Sequence, residues 1–206
     1  MLRLVDRPSS YPVSLAEAKA QLRVTSTSSD ALINGLIAAA TAHCETLVQR
    51  AFVPRTFEWV LPCWRAELCI PIAPVVAAGI TSIKYVEWAS QSQQTLDKTA
   101  YVVQTRGDSV AIIPKFGTFW PLVFTHAAEP IVIQFDAGYD DIGDLPGNVK
   151  AAILLQLRHL YSLGETNLAL SSETVFGVGQ KQYAASADLA SVIPDAVRQL
   201  MLAEVW

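Results

Sequence analysis

Charge is what this 206-residue sequence has least of: 17% of its residues are Asp, Glu, Lys or Arg, against about 25% in an ordinary soluble domain. So thin a coat of charge on a chain that is 51% hydrophobic points to a surface partly covered in an assembly. Basic residues are not in excess either. Fifteen Lys and Arg face 19 Asp and Glu, for a formal net charge of −4, which argues against a general nucleic-acid binder working through a basic stripe. Cysteines are few and odd in number: Cys44, Cys63 and Cys69 have no framework spacing and read as reduced thiols in a cytoplasmic setting. Long hydrophobic runs are missing as well. The opening "MLRLVDRPSS" lacks a signal-peptide core, and no stretch reaches the ~18 uncharged apolar residues of a membrane span. "AAILLQLRHLY" comes nearest, and Arg158 and His159 interrupt it. No membrane association is expected.

What is present begins with helix signals. In "PVSLAEAKAQLRV", Ser14 and Glu17 have the spacing of a capping box, each side chain satisfying a free backbone N–H of the first turn. Leu15, Ala18 and Leu22 then share a face, predicting a short helix from Ser14 to Arg23. After the polar break "TSTSSD", Asp30 is a good cap. Leu32, Ile33, Leu36, Ile37, Ala40, Cys44, Leu47 and Val48 recur at three- and four-residue intervals. They predict a long amphipathic helix to Arg50, ended by Pro54. A third helix runs from Pro146 to Gly164, apolar on most sides and therefore buried on most sides. Pro194 and Asp195 start a last helix in a way that suits the first turn. Its Val197, Leu200, Met201 and Val205 line one side, with Trp206 at the tip.

Between the second and third helices the period changes. "TFEWVLP" alternates Phe57, Trp59 and Leu61 with polar residues, as a half-buried strand does. "AELCIP", "GITSIKYVEW", "AYVVQT", "DSVAIIP" and "PIVIQFDAGY" continue the pattern between turns, giving an antiparallel β module of roughly six strands. The stretch from Glu165 to Val192 is too long for an ordinary connection, and is either an arm reaching a neighbour or a β-hairpin around "FGVG". The expected fold class is α+β: a helical bundle of a short N-terminal helix, two long helices and a C-terminal helix, with an inserted antiparallel β module. The expected divisions are 1–54 (helical), 55–139 (β), 140–164 (third helix) and 165–206 (arm and closing helix).

Chemistry is poorly supported. A zinc site drawn from His43, Cys44, Cys63 and Cys69 lacks the tight C-x₂₋₄-C pair of structural sites, and neighbours on a helix point about 100° apart. Asp136, Asp140, Asp141 and Asp144 do not fit an EF-hand loop and read as a turn facing the following helix. "FGVGQK", with Gly177 and Gly179, has no Gly-Lys-Ser/Thr ending. His43, His126 and His159 could serve a triad, but no G-x-S-x-G elbow accompanies them. No catalytic residue, cofactor or metal is therefore expected, and no enzyme. Trp59, Trp64, Trp88 and Trp120 sit in the β module without interleaved basic residues. They read as core or interface, with a ligand- or carbohydrate-binding module built on them as the alternative. Trp206 stands apart as an aromatic anchor for a partner.

Taken in order, "PVSLAEAKAQLRV", Asp30 with "LINGLIAAATAHCE", "FDAGY", "LPGNVKAAILLQLRHLYSLGE" and "IPDAVRQLM" resemble the head–tail connector, or adaptor, of long-tailed phages and phage-derived gene transfer agents. The resemblance implies a structural subunit of a homo-oligomeric, dodecameric ring in the virion or particle neck, made in the host cytoplasm. Its partners would be the portal protein on one side and a tail stopper or terminator on the other, with DNA passing through the lumen unbound. It also implies that the C-terminal segment, with Val197, Leu200, Met201, Val205 and Trp206, engages the portal. Leu36, Ile37, Ala40, Leu47, Ile153 and Leu157 would build the body and its subunit contacts. Sequence leaves open how these faces divide between core and ring neighbours.

Overall fold

The structure is a computed structural model that describes the chain except residues 7, 9, 76, 140, 166–171, 176–178, 183–193 and 203–206. The chain divides into two compact units, one of Met1–Ser10 with Gln49–Asp144, the other of Tyr11–Val48 with Leu145–Trp206.

The first unit is all β apart from short turns. Its strands are β1 (Leu2–Leu4), β2 (Arg55–Leu61), β3 (Leu68–Cys69), β4 (Ile80–Val86), β5 (Gln93–Thr95), β6 (Tyr101–Arg106), β7 (Ser109–Pro114) and β8 (Ile131–Ala137). They form a five-stranded sheet in the order β1-β2-β8-β4-β5 and a three-stranded sheet in the order β3-β7-β6, with every pairing antiparallel. The alternation read in "TFEWVL" holds: Phe57, Trp59 and Leu61 are buried and the residues between them are not. β8 pairs with β2 along all seven residues, Phe57 opposite Phe135, and those two rings stack at 5.7 Å. Ile80, Ile83, Ile112, Ile131 and Ile133 complete a core in which β-branched residues fill the space between pleated surfaces.

The second unit holds four helices among the described residues: α1 (Leu15–Leu22), α2 (Asp30–Val48), α3 (Gly147–Glu165) and α4 (Asp195–Leu202). The Ser14–Glu17 capping box forms as expected. The Glu17 N–H donates to Ser14 Oγ at 3.3 Å and the Ser14 N–H to Glu17 Oε2 at 2.8 Å. Lys19 Nζ reaches Asp30 Oδ1 at 2.6 Å, tying α1 to the start of α2. α2 ends at Val48, before the expected Arg50, because Gln49 turns left-handed at φ 53°. In length and composition α2 could cross a membrane, yet its face of Ile33, Ile37, Ala40 and Cys44 is buried where α2 packs on α3 and α4. β9 (Ser172–Val175) and β10 (Gly179–Gln182) pair antiparallel, the hairpin alternative for this stretch. The rest of the arm, with Gly177, lies outside the described residues, as does Asp140.

The expected architecture is thereby corrected. The chain is a mixed α+β protein and not a helical bundle with two long helices carrying a β insert. The physical reason lies at the N-terminus. Leu2, Arg3 and Leu4 pair with Trp59, Glu58 and Phe57, so the main sheet takes strands from both sides of α1 and α2. With its own apolar core, the β unit is a full partner in the fold.

Candidate functional site

The residues singled out for docking lie on α4. Val197 and Met201 are buried, Leu200 is half-buried and Leu202 is exposed. The Arg198 N–H donates to Pro194 O at 3.1 Å, closing the first turn. Asn148 Nδ2 on α3 donates to Leu200 O at 3.0 Å, satisfying a carbonyl that the end of a short helix would leave free. Val205 and Trp206 lie outside the described residues. Of the residues singled out for subunit contacts, Ile37, Ala40, Ile153 and Leu157 are buried, while Leu36 and Leu47 are half-buried. The buried members of both sets lie on α2, α3 and α4, helices that pack on one another. The half-buried members and Leu202 keep apolar surface available. Leu32, on α2, is more exposed than any of them.

Beside α4 lies an open groove of about 420 Å³, lined by Leu155, Arg158, His159 and Ser162 of α3 and by Pro194 and Ala196. Its lining combines apolar Leu155, Pro194 and Ala196 with polar Arg158, His159 and Ser162.

Several of the reactive side chains are engaged structurally. Gln156 Nε2 and His43 Nδ1 are 3.2 Å apart and share a hydrogen bond. His126 packs edge-on against Phe124 at 5.8 Å. Burial, and after it the negative charge of Glu45, pushes the Cys44 thiol up to about 12, so it stays protonated and unreactive at neutral pH. Asp136 accepts from Thr56 Oγ1 at 2.6 Å, and Asp141 Oδ1 from the Gly143 N–H at 2.9 Å, closing a tight turn. Among the described residues no group of three His, Cys, Asp or Glu side chains could hold a metal.

Three of the tryptophans are engaged in packing. Trp59 is buried in the core. Trp64 and Trp120 stack on each other at 4.7 Å and 9°, and each indole N–H is taken up by a backbone carbonyl: Trp64 by Pro121 O at 2.9 Å, Trp120 by Arg65 O at 2.8 Å. Their clasp anchors the long connection between β7 and β8, which displays Phe116 fully exposed and Phe119 at 93%. Sequence reading missed this feature. Its signal is the run "KFGTFWPLVF", where aromatic residues crowd around Gly117 and Pro121 with no strand or helix period.

Residues 12–68, which take in α1, α2 and β2 and end at the first residue of β3, match the family model described as phage gp6-like head-tail connector protein. The whole chain is similar in fold to chains of three solved gene transfer agent (GTA) assemblies. The neck of an empty GTA particle computed with C6 symmetry gives a TM-score of 0.70 at 20% identity, covering 98% of this chain and 94% of that one. A native GTA virion gives 0.68 at 22% identity, with the same coverage of 98% and 94%. The neck of a native GTA particle computed with C12 symmetry gives 0.65 at 20% identity, again over 98% and 94%. No curated protein matches the sequence significantly. The resemblance read from the sequence is supported by the family model at its first two motifs, within residues 12–68, and by likeness of fold over 98% of the chain.

Proposed function

We propose that this chain is a structural adaptor in the neck of a tailed, virus-like particle, a subunit of a ring between the portal protein and the tail stopper or terminator. The carrying observation is the agreement of two likenesses: a head–tail connector family model over residues 12–68 and a particle-neck fold over 98% of the chain. The ring follows from the symmetry of the similar necks, C6 and C12, and twelve copies are the expected number. The work is mechanical, and no catalytic step is assigned to any residue. A lumen without a strongly basic lining is expected, so that DNA slides through without being held.

Portal docking is assigned to the C-terminal segment. Leu200 and Leu202 supply the uncovered part of the α4 face, and Val205 and Trp206 continue it in sequence. Subunit contacts in the helical unit use Leu36 and Leu47, with Leu32 beside them on the same helix. Ile37, Ala40, Ile153 and Leu157 stiffen that surface from beneath.

The test is to mix the chain with the portal protein encoded beside it and to weigh the complex. Twelve copies bound to the portal are expected; two components that stay apart overturn the reading. A chain ending at Leu202 retains Val197 and Met201, and is expected to melt as before while losing the portal.

A further inference from the structure

We propose that the Phe116–Phe119 loop is a ring contact: it packs on a second copy of this chain, against Leu4 and Val5 at the outer edge of the neighbour's β1. The inference rests on the ring reading above and adds to it a surface on the β unit.

The loop is built to hold its shape. The Lys115 N–H donates to Ala100 O at 3.0 Å. Thr118 Oγ1 donates to Lys115 O at 2.6 Å, with Ala100 O at 3.2 Å. Gly117 takes φ +80°, which lets the chain turn between the two phenylalanines. Beyond the Trp64–Trp120 clasp, the Trp88 N–H donates to Leu122 O at 3.2 Å and the Phe124 N–H to Val86 O at 2.8 Å. A loop pinned at this many points has already given up its conformational freedom in folding, so a partner would meet it pre-organised.

On this frame stand Phe116 at 102% exposure, Phe119 at 93%, Leu122 at 79% and Trp88 at 55%. Two bare phenylalanines alone offer on the order of 400 Å² of apolar surface. A standard interface takes about 800 Å² from each partner. The two phenylalanines alone supply about half of one such side, more than scattered surface apolar residues account for.

The geometry favours a copy of the same chain as occupant. A ring of like subunits needs two different, complementary surfaces on each subunit, because the contact runs head to tail. Two of the apolar patches among the described residues of the β unit lie toward opposite ends of β2. Trp64, which clasps the loop, follows the finish of β2. Leu4 pairs with Phe57 near its start, and the Val5 N–H bonds Thr56 O at 3.0 Å. Roughly 20 Å of strand separates the two ends. Leu4 and Val5 are more than two-fifths exposed, on a strand that is an edge of the main sheet and so carries backbone groups open to a neighbour. A patch at one end and its counterpart at the other is the layout by which identical subunits close a ring.

The test places the photo-crosslinking residue p-benzoylphenylalanine at position 119 in the complex with the portal. Irradiation is expected to give an adduct of twice the chain mass, whose linked peptide contains Leu4 and Val5. A second arm uses the double variant Phe116→Ser, Phe119→Ser, expected to keep its melting temperature and to lose at least tenfold in ring yield. A ring that forms normally but crosslinks to a different protein, or to nothing, overturns this proposal and leaves the adaptor reading standing. A double variant that assembles like the parent also overturns it. If no ring of copies forms on the portal at all, the adaptor reading falls and takes this one with it. Should the double variant melt early, the crosslinked peptide decides.

Discussion

The two units of this chain exclude water by different means. In the β unit the work is done by large side chains across strand pairs: Phe57 on Phe135, with Ile83, Ile112, Ile131 and Ile133 fully enclosed. In the helical unit many of the wholly buried positions are small. Ala18, Ala40, Cys44 and Ala152 let backbones approach, and a few larger residues such as Ile33, Ile153 and Leu157 fill the gaps. Small residues bury little area each, so a helical unit built on them gains less from its own core. It also leaves Leu32, Leu36, Leu47 and Leu202 partly or largely open. The β unit seals its core and puts its most exposed aromatic side chains, Phe116 and Phe119, on one loop. The helical unit spreads its spare surface along the helices.

Mutations can sharpen or break that contrast. The largest effect is expected for Phe135→Ala, which opens a hole in the central strand of the main sheet. It should cost about 3–5 kcal/mol, read as an early transition in the fluorescence of Trp59, Trp64, Trp88 and Trp120, all in the β unit. Next comes Leu157→Ala on α3, about 2–5 kcal/mol, read by far-ultraviolet dichroism. The buried Cys44 offers a second reading of this variant. Cys63 and Cys69 are exposed and should react with a thiol reagent at once, while Cys44 should react only as the helical unit opens, and faster in Leu157→Ala. Equal effects of both substitutions on both signals would show that the two cores melt as one.

A smaller change is expected for Ser14→Ala, about 1 kcal/mol through loss of the α1 cap. Its pH dependence is specific. The Ser14 hydroxyl, and then its backbone N–H, hold the Glu17 carboxyl below the usual carboxylate range. A group depressed in the folded state lends stability above its unfolded value and loses it as pH falls through the folded one. The Ser14→Ala penalty should therefore be full at neutral pH and shrink in acid, as denaturant titrations at both pH values would report. Smallest is Arg3→Ala, which removes exposed ion pairs to Glu58 and Glu129. Any loss should vanish at high salt.

Local chemistry made part of this fold legible in the sequence. The capping box at Ser14 and the Phe57–Trp59–Leu61 alternation each depend on neighbours a few residues away. β1 and β5 are different. "LRL" and "QQT" are three residues each, too short to carry a period, and they become strands only because a distant partner aligns them. Burial in α4 shows the same limit. Val197 and Met201 look as free as Leu200 on a helical wheel, and only packing with α2 and α3 separates them. Phe116 and Phe119 fail in the opposite direction, since an aromatic residue in a sequence reads as core by default.

Gly138, in the "FDAGY" motif, sits at φ +131°, and a Cβ built there would lie 2.4 Å from the carbonyl oxygen of Val53. The passage leading out of β8 thus lies flush against the passage leading into β2, and the Gly138 N–H also donates to Pro74 O at 3.0 Å. Neither size nor polarity of a replacement would matter, because the obstruction begins at the first carbon. A saturation library at this codon should return glycine alone, whatever the particle demands of the surfaces elsewhere.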